Sequence, residues 1–401
     1  MRSVPLSVWR LMLAYALMMA GTSLNVLIAG IIGLQFAPNQ GLATLPIACV
    51  ISGVACSTLP TGRFLGRWGR RRVFVAYGLL AIMAALLAAY SLFIWSFALF
   101  CVAAFLTGWS AAAGHQYRFA ALEQVSPELA AKATSVLLLG GILAAFIGPE
   151  LAVFGRDLVT TQFAGSYLLL SAAYVFGVLL VSMNADSVVE DEEHSLPGRG
   201  LWDIVRSPVV VLAVCAAGLG YGVMSFLMTA APISMHQHAG HSLESTKLVI
   251  QAHIIAMYLP SLVYPFLLAK LGHRKLLMTG VLFLLSSLVF AFAGTTVMHF
   301  WGSMVLLGIG WNFLFLGGTN ILPFGYRRSE RFRVQSMNDF MVFSIQAIVS
   351  LSSGWFLFYF RWNGLLFAVI PLILAFVILA WRSRAYGQIS RQSLSTRVAV
   401  D

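Results

Sequence analysis

The chain has 401 residues, 60% of them hydrophobic and 10% charged. This excludes a soluble globular domain, since such domains run nearer ~45–50% apolar and ~25% charged. The net charge of +11 does not point to nucleic acid either, because the basic residues lie between apolar runs and not in an aromatic-interleaved polar patch.

The N-terminus begins Met1-Arg2-Ser3, in the manner of a secretory leader, but the apolar stretch continues to about Phe36 without a small-x-small cleavage site. It is expected to be a retained first span. A bilayer-crossing helix needs about 20 apolar residues. In chain order such runs cover Trp9–Leu34, Leu42–Thr61, Val73–Ile94, Phe97–Tyr117, Thr134–Phe154 and Phe163–Met183. They resume at Val209–Met235, Leu248–Ala269, Leu276–Gly294, Phe300–Pro323, Ser336–Phe360 and Gly364–Trp381. The expectation is therefore an all-α integral membrane fold of twelve transmembrane helices. Helices follow because backbone amides in lipid must bond within their own segment, and the runs lack the alternation of barrel strands. Cys49, Cys56, Cys101 and Cys215 lie singly inside these runs, with no metal-ligand spacing, so neither a metal nor a cofactor is expected.

Basic residues orient the spans, since cytoplasmic loops are rich in Lys and Arg. With the N-terminus inside, 22 of the 25 basic residues fall in internal segments and only Arg156, Lys247 and Arg361 outside. A wrong span count would scramble that alternation. Both termini are thus expected on the cytoplasmic side of the inner (plasma) membrane. The one long polar interruption, from about Asn184 to Pro208, carries Glu190-Asp191-Glu192-Glu193 and Pro197-Gly198-Arg199-Gly200 and reads as a solvated linker. It divides the chain into a bundle over 1–184, a linker over 185–208, a second bundle over 209–384 and a tail over 385–401.

The halves echo each other. Gly69-Arg70-Arg71-Arg72 follows span two and Gly272-His273-Arg274-Lys275 follows span eight; Gly108-Trp109-Ser110 recurs as Gly310-Trp311-Asn312. The nearly constant offset across a central linker favours duplication, and parallel repeats of this kind mark a known transporter architecture.

With Gly62-Arg63-Phe64-Leu65-Gly66-Arg67-Trp68-Gly69-Arg70-Arg71 following span two, the sequence resembles the major facilitator superfamily (MFS). The resemblance covers essentially the full length. It implies two six-helix pseudo-repeats and a cytoplasmic gating loop containing Gly62, Arg67, Gly69, Arg70 and Arg71. Three departures qualify it. Gly66 stands where the family has an Asp that helps latch the cytoplasmic side, so the latch must differ or be weaker here. Gly140-Gly141 and Gly148-Pro149 are similar to a helix-five motif of antiporters, but Glu150-Leu151-Ala152-Val153 replaces its downstream glycines. Ala104 occupies the place of an arginine linked to proton coupling.

Polar groups at membrane depth are costly unless satisfied, so each needs a reason. Thr22 and Asn25 share a face of span one with Met18; they serve either interhelical hydrogen bonding or the lining of a central cavity. Span four ends in Gly114-His115-Gln116-Tyr117-Arg118, which is either an interfacial anchor or a substrate or gate site with Arg118 meeting an anion or Glu123. Glu150 is the only acid clearly inside a span, with Asp339 near the start of span eleven; both are candidates for coupling protons. Gln251 and Tyr258 share a face of span eight, and Asn312 shares one with Thr319 in span ten, with Asn320 adjacent. Each is a candidate substrate contact or a packing group.

These features predict a secondary active transporter, not an enzyme, that moves a small polar or anionic solute of metabolite, vitamin or siderophore type. It is expected to work as a monomer. No Gly-x-x-x-x-Gly-Lys-Ser/Thr loop is present, so the driving force is expected to be an ion gradient, possible coupling ions being protons. No His-Glu-x-x-His or comparable catalytic constellation occurs. A drug or metabolite efflux proton antiporter is the alternative within the class; a non-transporting receptor or scaffold is the alternative outside it.

Overall fold

The computed structural model describes residues 4–122, 124–125, 129–184, 199–327, 330–387 and 389, and no strand occurs among them. Helices α1 (Leu6–Phe36), α2 (Leu45–Trp68), α3 (Arg70–Phe93), α4 (Phe97–Ala111), α5 (Tyr117–Leu122), α6 (Ala130–Phe154) and α7 (Ala164–Ser182) form the N-terminal half. A short α8 (Leu201–Val205) leads into α9 (Pro208–Ile233), α10 (Leu243–Tyr258), α11 (Tyr264–Ala293), α12 (Val297–Ile321) and α13 (Arg331–Arg382). Among the described residues nine helical segments are long and apolar enough to cross a bilayer. One of these is most of α13, whose 52 residues far exceed the ~20 that one crossing needs. It doubles back at Arg361 (φ 59°), where the neighbouring Trp362 packs on Phe300 near the start of α12, 5.1 Å between ring centroids.

Local signals place the helix starts. Ser96 accepts from the Leu99 amide (3.3 Å) and Ser242 from the Ser245 amide (3.1 Å), each a side-chain N-cap. Proline opens α9, where its missing donor has no intrahelical partner to lose. Three segments differ from expectation. The span expected over Leu248–Ala269 is helical only to Tyr258, passes through a 3₁₀ turn at Leu259–Leu262 and resumes at the start of α11. Span four stops as an α-helix at Ala111 and continues as a 3₁₀ segment, Ala112–Gln116, before α5. The signature segment expected as a loop is helical through Trp68. Phe64 stacks on Trp68 one turn later (4.8 Å, 10°), and nothing breaks the helix until Gly69.

Gly69 (φ 78°, ψ 164°) separates α2 from α3, and Gly272 (φ 74°, ψ 167°) breaks α11 at the equivalent point of the second half. The sequence echo is thus an echo of backbone conformation, in a region essentially closed to side chains with a Cβ. Close packing repeats too: a methyl group on Gly108 of α4 would collide with the Val50 carbonyl of α2, and one on Gly308 of α12 with the His253 carbonyl of α10. Gly69→Val or Gly272→Val is expected to destabilise by about 1–3 kcal/mol. Gly66→Ala, helical with open space around it, should change stability by less than about 0.5 kcal/mol. Thermal unfolding in detergent checks this, and equal stability of all three variants would contradict it.

Large apolar side chains are exposed along the outer faces of α3 (Leu79, Met83, Leu86, Tyr90), α7 (Phe176, Leu179), α11 (Leu282, Val289) and the last part of α13 (Phe367, Leu374, Ile378). Apolar surface on this scale is stable only against lipid. Inside, α1 packs on α6, with the Ser23 hydroxyl donating to the Ala144 carbonyl (2.7 Å). The two halves meet at the end opposite the termini. There the Gly354 amide of α13 donates to the Thr44 hydroxyl (3.1 Å), and that hydroxyl donates to the Ser350 carbonyl (3.3 Å). A narrow crevice between Leu34, Gln40 and Ala43 on one side and Ile233, His238 and Leu357 on the other lies on this seam. Toward the termini, Gly62 and Gly66 of α2 have no neighbour where a Cβ would stand, and Phe340 of α13 is exposed.

Candidate functional site

Three groups of side chains occupy the region between the halves and its two ends. At the closed end, Lys247 of α10 is a nearly buried cation, its side chain 10% exposed. Its ammonium donates to both carboxylate oxygens of Glu150 on α6 (3.0 and 3.1 Å) and to Glu244 one turn back (2.7 Å). Gln251 donates to Glu150 as well (3.2 Å). Glu150 itself is 55% exposed and lies one turn from the end of α6, so it is shallower than the sequence suggests. This network ties one half to the other.

In the middle, the Tyr258 ring of α10 faces Gly141 of α6, where a Cβ would stand 3.3 Å from it. The Tyr258 hydroxyl also hydrogen-bonds Tyr15 of α1. Beside this contact, Tyr221 of α9 meets Trp311 (5.1 Å, 89°) and Phe315 (5.3 Å, 84°) of α12 and Phe343 (5.6 Å, 67°) of α13, all edge-on. Trp311 stacks on Phe315 (5.1 Å, 12°). Next along the α9–α13 seam, Gln346 donates to Ser225 (2.7 Å). Exposure rises along α12 toward the termini, from buried Trp311 through half-buried Phe315 to exposed Thr319. Along this face of α12 the aromatic cluster therefore gives way to exposed surface toward the termini.

At the termini end, Glu330 is 1% exposed in its side chain. It accepts from the Arg199 amide (2.8 Å), from the Arg199 guanidinium (3.0 and 2.8 Å) and from the Arg327 amide (2.8 Å). Hydrogen bonding from Arg199 holds the Glu330 carboxyl down to about 2. Arg199 also reaches the Gly325 carbonyl (3.0 Å), and Ile204 of α8 is fully buried. The second part of the expected linker is therefore docked on the C-terminal half and is not simply solvated. The acidic run 190–193 lies outside the described residues.

The other sequence candidates divide. Asn25 is buried and fully engaged, donating to the Gly21 carbonyl (2.8 Å) and accepting from the Tyr167 hydroxyl of α7 (2.9 Å), so in this conformation it joins helices. Tyr117 is buried and stacked on Phe74 of α3 (4.3 Å, 9°), which anchors α5; Gln116 is half-buried. The side chains of His115 and Arg118, and all of Glu123, lie outside the described residues. Asn312 is buried, donating to the Met257 carbonyl (2.7 Å) and the Ser261 hydroxyl (2.6 Å) of the α10 end. Half-exposed Asn320 bonds back to Leu316 of its own helix (2.8 Å). Asp339 is exposed and accepts from Asn338 (3.1 Å). Gly62 and Arg67 are exposed at the end of α2, whereas Arg70 is buried at the start of α3 and Arg71 is exposed.

Sequence reasoning missed Lys247 as the partner of Glu150, the Arg199–Glu330 clamp and the aromatic cluster. For the cluster a signal existed in the repeated Gly-Trp of α4 and α12. Nothing in a single sequence pairs residues 131 positions apart such as Arg199 and Glu330.

Comparison with known proteins bears on the same architecture. The sequence profile described as Major Facilitator Superfamily matches residues 11–257. The riboflavin transporter RfnT of Brucella anthropi is 35% identical over 379 residues, covering 92% of this chain and 94% of that one. The uncharacterized MFS-type transporter YdeG of Bacillus subtilis is 29% identical, covering 80% and 79%. Two crystal structures of a bacterial homologue of the iron transporter ferroportin share the fold at 17% identity. The inward-facing state has a TM-score of 0.68, covering 95% of this chain and 100% of that one, and the outward-facing state has 0.60, covering 94% and 100%. With an all-helical, lipid-faced structure, a duplicated break at Gly69 and Gly272 and a family match over most of its length, this chain belongs to the Major Facilitator Superfamily of membrane transporters.

Proposed function

We propose that the protein is a secondary active transporter of riboflavin or a closely similar flat, polar vitamin, working by alternating access across the inner membrane. The observation that carries this reading is the near full-length likeness to a riboflavin transporter at 35% identity. An inter-half seam joined at the end opposite the termini supports it, since alternating access closes one end at a time. In this reading the chain crosses the bilayer twelve times, in bundles over 1–184 and 209–384, with both termini cytoplasmic, and acts as a monomer. The end opposite the joined seam is then cytoplasmic, and Gln116, Tyr258 and Asn320, all half-exposed, border the solute path.

Glu150 and Asp339 are proposed to couple protons. Protonating Glu150 would remove its attraction for Lys247 and loosen the outer seam. Glu150→Gln and Asp339→Asn, measured for proton-driven uptake in vesicles, test this; pH dependence unchanged in both would reject it. For the substrate, a riboflavin-requiring bacterium producing this protein is expected to grow on low external riboflavin and to accumulate labelled riboflavin. Failure of both, with the protein present in the membrane, would overturn the vitamin reading.

A further inference from the structure

The aromatic cluster exceeds what burial alone requires, since aliphatic side chains fill a membrane-protein interior as well. Tyr221, Trp311, Phe315 and Phe343 come from three helices and present several ring edges and faces at one level. Trp311 is 5% exposed, and its indole Nε1 has no hydrogen-bond partner among the described residues. A buried indole N–H normally finds an acceptor, so leaving one unpaired inside an aromatic group is a cost that a ligand can relieve. The cluster also borders exposed surface, with Phe315 and Phe343 half-buried and Thr319 exposed one turn beyond Phe315.

Aromatic faces bind flat π-systems with little regard to their substituents, while an N–H donor among them selects a ring that carries an acceptor. We propose that Tyr221, Trp311, Phe315 and Phe343 form the ring-binding subsite of the transport path. It takes a planar heteroaromatic solute, and the Trp311 indole donates to a carbonyl or nitrogen of that ring. This rests on the vitamin reading above and specifies which side chains recognise the ring. The polar tail of such a solute extends along α12 toward Thr319 and Asn320. Loading is reported directly, because stacking on tryptophan or tyrosine quenches the fluorescence of a flavin.

The test is saturable quenching of riboflavin fluorescence by the purified full-length chain, with free ribitol as the non-aromatic control. The wild type is expected to quench, with ribitol failing to compete. Trp311→Leu should weaken the apparent Kd by about tenfold or more, and Trp311→Phe, which keeps the ring and loses the donor, by roughly three- to tenfold. Phe292→Leu, on the outer face of α11, serves as the aromatic control with unchanged affinity. Each variant is first shown to be folded by its elution and thermal unfolding, and Trp311→Phe keeps the test alive if Trp311→Leu does not fold. If the wild type binds riboflavin and both Trp311 variants bind within about twofold of it, the subsite is wrong and the vitamin reading stands. If the wild type neither binds nor transports riboflavin, the vitamin reading fails and takes the subsite with it.

Discussion

Replacing Lys247 by methionine is expected to open the end of the molecule that is closed in this structure. The residue is 90% hidden and holds Glu150 and Glu244 together across the α6–α10 seam. Without its charge, two carboxylates face each other where a cation stood, and attraction between the halves becomes repulsion. Removing one partner of a buried pair costs about 3–5 kcal/mol. Because Glu150 is 55% exposed, solvent screening reduces the effect on the seam to about 1–2 kcal/mol. A change of that size shifts the balance between closed and open states by roughly 5- to 30-fold. Spin labels on Trp95 and Met298, exposed positions at this end on opposite halves, should report a longer inter-label distance in Lys247→Met and recovery in Lys247→Arg. An unchanged distance distribution would show that the network does not hold the seam.

The second large effect lies at the other end. Glu330→Ala removes a carboxylate that accepts from two backbone amides and the Arg199 guanidinium. It leaves the Arg199 guanidinium without its partner, and the docked end of the linker loses its main attachment. The buried-pair range of about 3–5 kcal/mol is an upper limit here, because Arg199 is 34% exposed; a loss of about 2–3 kcal/mol is expected. Arg199→Ala should cost a similar amount, and the double variant little more than either single, since the second change removes an already orphaned partner. The pH dependence has a definite sign. The carboxyl titrates at about 2 when folded against about 4.3 in an unfolded chain. Its contribution is therefore fully present above about pH 5 and is lost as pH falls toward 2. Thermal unfolding of the four proteins at pH 7 and pH 3 checks both statements; additive losses, or equal losses at the two pH values, would contradict them.

How far these features could be read in advance follows from the range of the interactions. Apolar spans and the repeat were legible because they depend on local apolarity and on glycines such as Gly69 and Gly272 that mark a backbone state. The extension of α2 to Trp68 was missed because arginines signal an interface without signalling where a helix ends. Asn25 and Asn312 were recognised as costly polar groups, yet whether they join helices or line a path depended on Tyr167 and Ser261, partners distant in sequence. Lys247 looked like an ordinary external charge until the fold brought α10 against α6. The aromatic cluster draws on α9, α12 and α13, and no periodicity within one helix encodes such a meeting.

Counterflow in proteoliposomes separates a carrier from a membrane receptor that only binds its ligand. Vesicles carrying the purified protein are loaded with unlabelled riboflavin and diluted into a trace of labelled riboflavin, with no ion gradient imposed. A carrier that alternates access around one solute site predicts a transient accumulation of label inside, above its external concentration, which decays as the gradient runs down. Flat uptake indistinguishable from protein-free vesicles, from protein shown to be folded and inserted, would mean that the protein does not carry riboflavin.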